Sequence, residues 1–224
     1  MSKASWIVVT DFDGTLTEKD VGNVLCEEFL GERFTDIHSR YRRGELGLKE
    51  MQQLLWGKFP CPEETFRRRS AEIGRLRPGV VEFLELCQKK SVPLYIASCG
   101  LRPYIEPVLR QHLPPDLQSV VRQIRCNEAT FDAHGIAEFL PPTTRDDCPY
   151  PLDKGAWSSE LRAALGKEVK ILGIGNGTSD RSFQGHVDEL AATEALAKWC
   201  TQSSVAHRPF EDFRDLLGVE ALRG

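Results

Sequence analysis

Trp6-Ile7-Val8-Val9-Thr10-Asp11-Phe12-Asp13-Gly14-Thr15-Leu16-Thr17 is an apolar run that stops in two carboxylates and a glycine. Val8 and Val9 are β-branched, the run is short and Gly14 punctuates its end, so the stretch reads as a buried central strand and not as a helix. Side chains two apart in an extended chain share a face, which puts Asp11 and Asp13 on one side and turns Phe12 into the core. Neighbouring carboxylates repel, and that costs stability unless a cation lies between them or one keeps its proton. The blander reading is a solvated turn that happens to be acidic. The whole of residues 11–17 behind an apolar strand is far more specific than a lone Asp-x-Asp, and it reads as a strand that delivers chemistry at its tip.

Outward from that stretch, 224 residues with 41% hydrophobic and 28% charged side chains are enough for one α/β domain with a modest insertion. A net charge of -4 and an isoelectric point near 5.8 argue against nucleic acid as a partner. Arg67-Arg68-Arg69 reads as a solvated helix face. No apolar run approaches the ~20 residues that cross a bilayer, and Met1-Ser2-Lys3 leads into a strand without a signal-peptide core. Seven cysteines, odd in number and without a Cys-x-x-Cys pair, fit free thiols in a reducing compartment. A cytoplasmic chain with no membrane or nucleic-acid partner is expected.

After Thr17 the composition changes. Val21, Val24, Leu25 and Phe29 have helical spacing, residues 33–43 are polar, and Leu48 to Trp56 is amphipathic. Pro60 to Thr65 is a turn into another helix. Arg77-Pro78-Gly79 marks the return to the main domain, so the expected division is a helical insertion at 17–77 within a core of 1–16 and 78–224. A helix over 80–90 ends in Lys89 and Lys90, as its dipole prefers. Val92 to Ala97 reads as the second strand, ending in a loop at Ser98-Cys99-Gly100 before a helix with Tyr104, Ile105, Val108 and Leu109. A strand, a small polar loop and a helix make an anion site, because loop amides and helix N-terminus face one place. Cys99 reads as a small packing residue rather than a nucleophile.

Residues 119–140 suggest a strand followed by a hairpin, and residues 141–151 a proline-rich loop. Asp153-Lys154-Gly155 then opens a helix. A lysine at that end opposes the helix dipole, and neutralising a bound phosphate is one reason to place it there. Val169 to Ile174 reads as the last strand, running into Gly175-Asn176-Gly177-Thr178-Ser179-Asp180.

Residues 11–17, Ser98, Lys154 and the loop ending at Asp180, in that order along nearly the whole chain, resemble the four motifs of the haloacid dehalogenase (HAD) superfamily phosphatases. The resemblance implies a doubly wound, mainly parallel α/β sheet of the HAD-like Rossmannoid kind, with a small helical cap after the first strand as in the phosphoserine-phosphatase-like subgroup. It implies Asp11 as nucleophile and Asp13 as acid and base, with Ser98, Cys99 and Lys154 binding phosphate. Mg2+ would be held by Asp11, Asp13, Asn176 and Asp180. The cap would exclude water and choose the substrate, with Asp20 and Arg43 as its substrate-facing candidates and Gly100 as a further substrate-binding candidate in the core.

The loop departs from the family's usual Gly-Asp-Gly-x-x-Asp at Asn176. An amide oxygen can ligate Mg2+, but it takes one negative charge from a site that holds hard cations largely by charge, so weaker metal affinity is expected. Residues 193–200 and 207–213 resemble the methionine-salvage phosphatases that act on 2-hydroxy-3-keto-5-methylthiopentenyl-1-phosphate, which often carry more cysteines before the lysine than the single Cys148 here. Three readings follow: a Mg2+-dependent phosphatase of a small phosphate ester, working as a monomer or homodimer; the same chemistry on phosphoserine or a phosphorylated amino alcohol; or a phosphometabolite-binding protein whose catalysis Asn176 has weakened.

Overall fold

The computed structural model describes residues 6–142 and 147–223, so residues 143–146 of the expected proline-rich loop lie outside the described residues. The chain opens with β1 (Trp6–Thr10) and continues through four helices, α1 (Val21–Leu30), α2 (Glu32–Arg42), α3 (Leu48–Trp56) and α4 (Glu63–Ile73). It returns with α5 (Val80–Lys89), β2 (Leu94–Leu101), α6 (Arg102–His112), α7 (Pro115–Gln118) and the hairpin β3 (Val121–Asp132) and β4 (Gly135–Leu140). The remainder is α8 (Lys154–Leu165), β5 (Lys170–Gly175), β6 (Glu189–Ala192), α9 (Glu194–Gln202) and β7 (Arg208–Pro209).

The seven strands form one sheet in the order β4-β3-β2-β1-β5-β6-β7. Every pairing is parallel except β3 with β4 at the edge. β1 alternates between two cores: Val8 joins one with Leu94, Ile96 and the cap helices, while Ile7 and Val9 join the other with Trp157, Leu161 and Leu196. Apolar cover on both faces is what a parallel sheet requires, and it explains why β1 reads as an unbroken apolar run. The chain turns to β2 on one side of β1 and to β5 on the other, so the crevice of this α/β sheet opens at the tip of β1.

The four helices α1–α4 leave and rejoin the core at one place. Thr17 bridges Leu76 in antiparallel fashion, and Arg77 N donates to Leu16 O at 2.8 Å. Aromatic rings fasten this cap to the core: Phe66 lies 5.5 Å from Phe131, and Trp56 lies 6.2 Å from Tyr104. Arg67 and Arg68 pair within α4 with Glu63 and Glu72, and Arg69 reaches Glu28 of α1, so the arginine run is a solvated, ion-paired face.

Three expectations are corrected. Ser98, Cys99 and Gly100 belong to β2 rather than to a loop; the pairing with β3 skips from Ala97 to Leu101, so the strand bulges there and redirects its side chains. Residues 121–132 form one long strand that is itself the first arm of the hairpin. Residues 169–174 are not the last strand, because β6 and β7 extend the sheet; at four and two residues they are too short to show a pattern.

Candidate active site

Phe12 to Leu16 form a tight turn at the tip of β1 in which Gly14 has φ +70°. That conformation favours glycine, and a Cβ there would also collide with the Asn176 amide laid across it. The turn presents Asp11 and Asp13 to a cavity of about 200 Å3 between core and cap. Ser98, Cys99, Gly100, Asn176 and Asp20 line the same cavity, so the structure brings most of the expected residues together.

The floor of the cavity is a charge network. Lys154 Nζ lies 2.7 Å from Asp11 Oδ1 and 2.5 Å from Asp180 Oδ1. Asp153 caps α8 by accepting from Ala156 N at 2.9 Å, and the next residue, Lys154, is fully buried between the two carboxylates. Burial would push the ammonium down, but the Asp11 and Asp180 charges outweigh it and keep Lys154 protonated. Asp11 is pushed up to about 7, by burial first and by the Asp180 charge second, with Lys154 opposing.

Asp13 sits in a different environment. Its Oδ1 accepts from Val21 N at 2.9 Å and its Oδ2 from the Tyr104 hydroxyl at 2.5 Å. Burial and the Asp20 charge raise it well above the ordinary carboxylate range. Asp20 caps α1 through Asn23 N at 2.7 Å and is itself raised by burial. Two carboxyl groups on one turn thus differ in company: one faces a buried ammonium, the other a phenol and a second acid. Such separation is how one site holds both a nucleophile and a proton donor.

Three expected residues, Arg43, Lys154 and Asp180, are not among the residues that line the cavity. Arg43 ends α2 in solvent, its side chain 58% exposed and paired with Glu45, and it does not line the cavity. Helical spacing cannot say which way a residue just past a helix end points. Asp180, expected as a metal ligand, does not line the cavity either. Its Oδ1 faces Lys154, while its Oδ2 accepts from Asn176 N at 2.9 Å and Gly177 N at 2.8 Å. It folds the loop and balances the lysine.

The reading of the sequence missed three residues. Tyr104 was visible only as an apolar position of α6; a Cβ at Gly100 would meet its hydroxyl and Asp13, so that glycine makes room for their contact. Gln52 and Asn127 lie buried, and both donate to the Cys99 carbonyl, Gln52 at 2.6 Å; Asn127 also donates to Gln52 Oε1 at 3.0 Å. This triad ties cap helix α3 to the strand tip. Gln52 looked like any polar residue on an amphipathic helix, and no local pattern marks a polar residue that is buried by a distant partner. The Cys99 thiol, pushed up to about 11 by burial, stays protonated.

A divalent cation fits this floor. Asp11 lies in the field of Asp180, and Asp13 in those of Asp20 and Asp11, and among the described residues Lys154 is the only fully buried cation. The raised carboxyl groups are those that added positive charge would relieve. The available donors are the Asp11 carboxylate, the Asp13 carbonyl and the Asn176 amide oxygen, all hard oxygens suited to Mg2+. Among the described residues no three His, Cys, Asp or Glu side chains form a metal cluster, so such a site depends on neutral oxygens for most of its protein ligands.

The roof is mixed: from the cap, Cys26, Leu48, Met51, Leu55 and Trp56 give the cavity apolar surface, and Asn23, His38, Tyr41 and Gln52 give it polar groups. Among the described lining residues there is no lysine or arginine.

Among known proteins, two 2-hydroxy-3-keto-5-methylthiopentenyl-1-phosphate phosphatases resemble this chain along its length. That of Bacillus mycoides is 25% identical over 211 residues, covering 94% of this chain and 93% of its own. That of Bacillus cereus is 26% identical over 211 residues, covering 93% of each. Among solved structures, a phospho-aspartyl intermediate analogue of phosphoserine phosphatase superposes with a TM-score of 0.73 at 13% identity, covering 96% of this chain and 98% of that one. Phosphoserine phosphatase from T. onnurineus gives 0.69 at 18% identity, covering 96% and 93%. These likenesses show the fold. A family model described as haloacid dehalogenase-like hydrolase matches residues 8–183, from β1 through the loop that carries Asp180. The chain is therefore an enzyme that belongs to the haloacid dehalogenase-like hydrolases.

Proposed function

We propose that this hydrolase is a Mg2+-dependent phosphatase of a small phosphomonoester whose leaving group is uncharged and largely apolar. Residues 17–77 serve as its cap, and residues 1–16 and 78–224 as its catalytic unit. The observation that carries the reading is the pairing of a charged floor, Asp11 against Lys154 and Asp13 against Tyr104, with apolar side chains of the cap, Cys26, Leu48, Met51, Leu55 and Trp56. The methionine-salvage relatives act on a phosphate ester that ends in a methylthio group, and such a tail matches this roof. The substrate proposed is 2-hydroxy-3-keto-5-methylthiopentenyl-1-phosphate or an ester of the same build.

The chemistry follows from the two carboxyl environments. Asp11 attacks phosphorus; its oxygen–phosphorus bond forms as the bond to the leaving oxygen breaks, giving an aspartyl-phosphate. Asp13, kept protonated by burial and its acidic neighbour, gives that proton to the leaving alkoxide. The resulting Asp13 carboxylate takes a proton from water, whose oxygen then displaces Asp11 from phosphorus and releases phosphate. Tyr104 holds Asp13 in place through both steps. Lys154 and Ser98 hold the transferring oxygens. Asp11, the Asp13 carbonyl and Asn176 would hold Mg2+, which when bound would supply the positive charge that an anionic nucleophile needs to approach an anionic ester.

Phosphoserine is the weaker reading, because its carboxylate would enter a roof with no lysine or arginine among the described lining residues. A pure binding protein has no need of two neighbouring buried carboxyl groups, one held by a lysine and the other by a tyrosine. Phosphate release from a panel of small phosphomonoesters, with Mg2+ and with chelator, tests the reading. Metal-dependent turnover that disappears in Asp11→Asn is the expected result; hydrolysis that survives Asp11→Asn would remove it.

A further inference from the structure

Asn176 is held by more than its own loop. Its backbone carbonyl accepts from Leu196 N in the first turn of α9 at 2.8 Å, and its side-chain Nδ2 donates to Glu194 Oε2 at 3.1 Å. The other end of the amide, Oδ1, accepts from the Thr15 hydroxyl at 3.2 Å. An amide has one donor end and one acceptor end, whereas a carboxylate only accepts. Glu194 therefore decides which way the Asn176 amide faces.

Glu194 is itself fixed from two sides. Its backbone has φ +51°, a left-handed conformation that is unusual for a residue other than glycine, and it stands at the N-terminus of α9, where the helix dipole favours a carboxylate. Arg77, whose side chain is 12% exposed, binds Glu194 Oε1 at 3.0 Å. The same guanidinium donates to the carbonyl oxygens of Gly14 and Thr15 in the turn that carries Asp11 and Asp13. Arg77, Glu194 and Asn176 thus make one chain of contacts that begins and ends on that turn.

We propose that Glu194 is a positioning residue for the cation, acting through Asn176: it takes the amide's N–H end and so leaves the oxygen end as the ligand. The inference rests on the reading of Asn176 as a Mg2+ ligand. An aspartate at 176 would need no such partner, since both its ends are oxygens. A freely turning asparagine could present its NH2 group to the cation and repel it. The carboxylate that the loop lacks at position 176 has in effect moved one step outward, to a residue that orients the amide.

The test is Mg2+ binding to the purified full-length chain by isothermal titration calorimetry, which needs no substrate. Four proteins are compared: native, Glu194→Ala, Asn176→Asp, and the two changes together. Loss of one hydrogen bond to a charged group corresponds to about tenfold, so Glu194→Ala should weaken Mg2+ about tenfold in the native background. In the Asn176→Asp background the same change should cost less than about twofold. Equal weakening in both backgrounds, no weakening in either, or no Mg2+ binding by the native chain would overturn the proposal.

A second measurement on the native protein needs no variant to fold. In 15N spectra the Asn176 side-chain amide protons should exchange slowly with solvent and shift on adding Mg2+. An unprotected amide insensitive to Mg2+ would also overturn it. Because neither measurement uses hydrolysis, Mg2+ binding with the expected coupling but no turnover would remove the phosphatase reading and leave the role of Glu194 standing.

Discussion

The floor and the roof of the cavity are built on opposite principles. The floor sets Asp11 and Asp180 against one buried lysine and Asp13 against Tyr104, and its geometry is set by the tips of adjacent strands and the turn at Gly14. The roof combines apolar side chains from α1 and α3 with uncharged polar ones such as Asn23 and Tyr41, held over the floor by the Gln52–Cys99–Asn127 triad and by ring contacts to Tyr104. The floor buries carboxyl groups whose pKa values burial raises, and it contributes charge; the roof contributes shape. Reaction type should therefore follow the floor and substrate choice the roof, with changes to each separable in kinetics.

The largest effect should come from the floor. Asp11→Asn is expected to lower kcat at least about 10^4-fold while the circular dichroism spectrum stays native, because the nucleophile is lost while Lys154 keeps Asp180 as its partner. Lys154→Met should remove activity as well, but for a reason visible in stability. It leaves Asp11 and Asp180 buried without their partner, and urea unfolding should show a loss of about 3–5 kcal/mol. A stability like that of the native chain would mean that water reaches the floor freely.

Asp13→Asn separates protonation from attack. It should cost about 10^2–10^4-fold on alkyl phosphates and markedly less on p-nitrophenyl phosphate, whose leaving group needs no proton. An equal loss on both esters would assign Asp13 to binding. On the roof, Leu48→Arg should lower kcat/KM for a methylthio-bearing ester about tenfold and raise it for phosphoserine, with the rate on p-nitrophenyl phosphate little changed. The smallest effect belongs to Arg43→Ala, which should leave kcat/KM within about twofold, as for other changes at exposed sites; a larger change would bring α2's end back into the site.

How legible each region was follows the same division. Asp11, Asp13 and the strand that carries them are local in sequence: an apolar run, a glycine and two acids one residue apart fix a strand, a turn and a shared face. Lys154 was legible because it stood at the wrong end of a helix for its charge, although the structure gives the reason as Asp11 and Asp180 and the phosphate contact is proposed. Tyr104, Gln52, Asn127 and Glu194 were not legible, because each acquires its role from a residue far along the chain, and nothing in a helical or strand period marks that. Arg43 misled for the converse reason, since charge alone does not place a side chain in a cavity. The short strands β6 and β7 escaped because at that length packing between neighbours defines a strand and composition does not.

The measurement that bears most directly on the account is the ratio of kcat/KM for 2-hydroxy-3-keto-5-methylthiopentenyl-1-phosphate to that for phosphoserine, both with Mg2+ and the native chain. Burying an unpaired carboxylate under the roof sets the expected preference at about 100-fold or more for the methylthio ester. Equal rates, or a preference for phosphoserine, would contradict the claim that the roof selects the substrate.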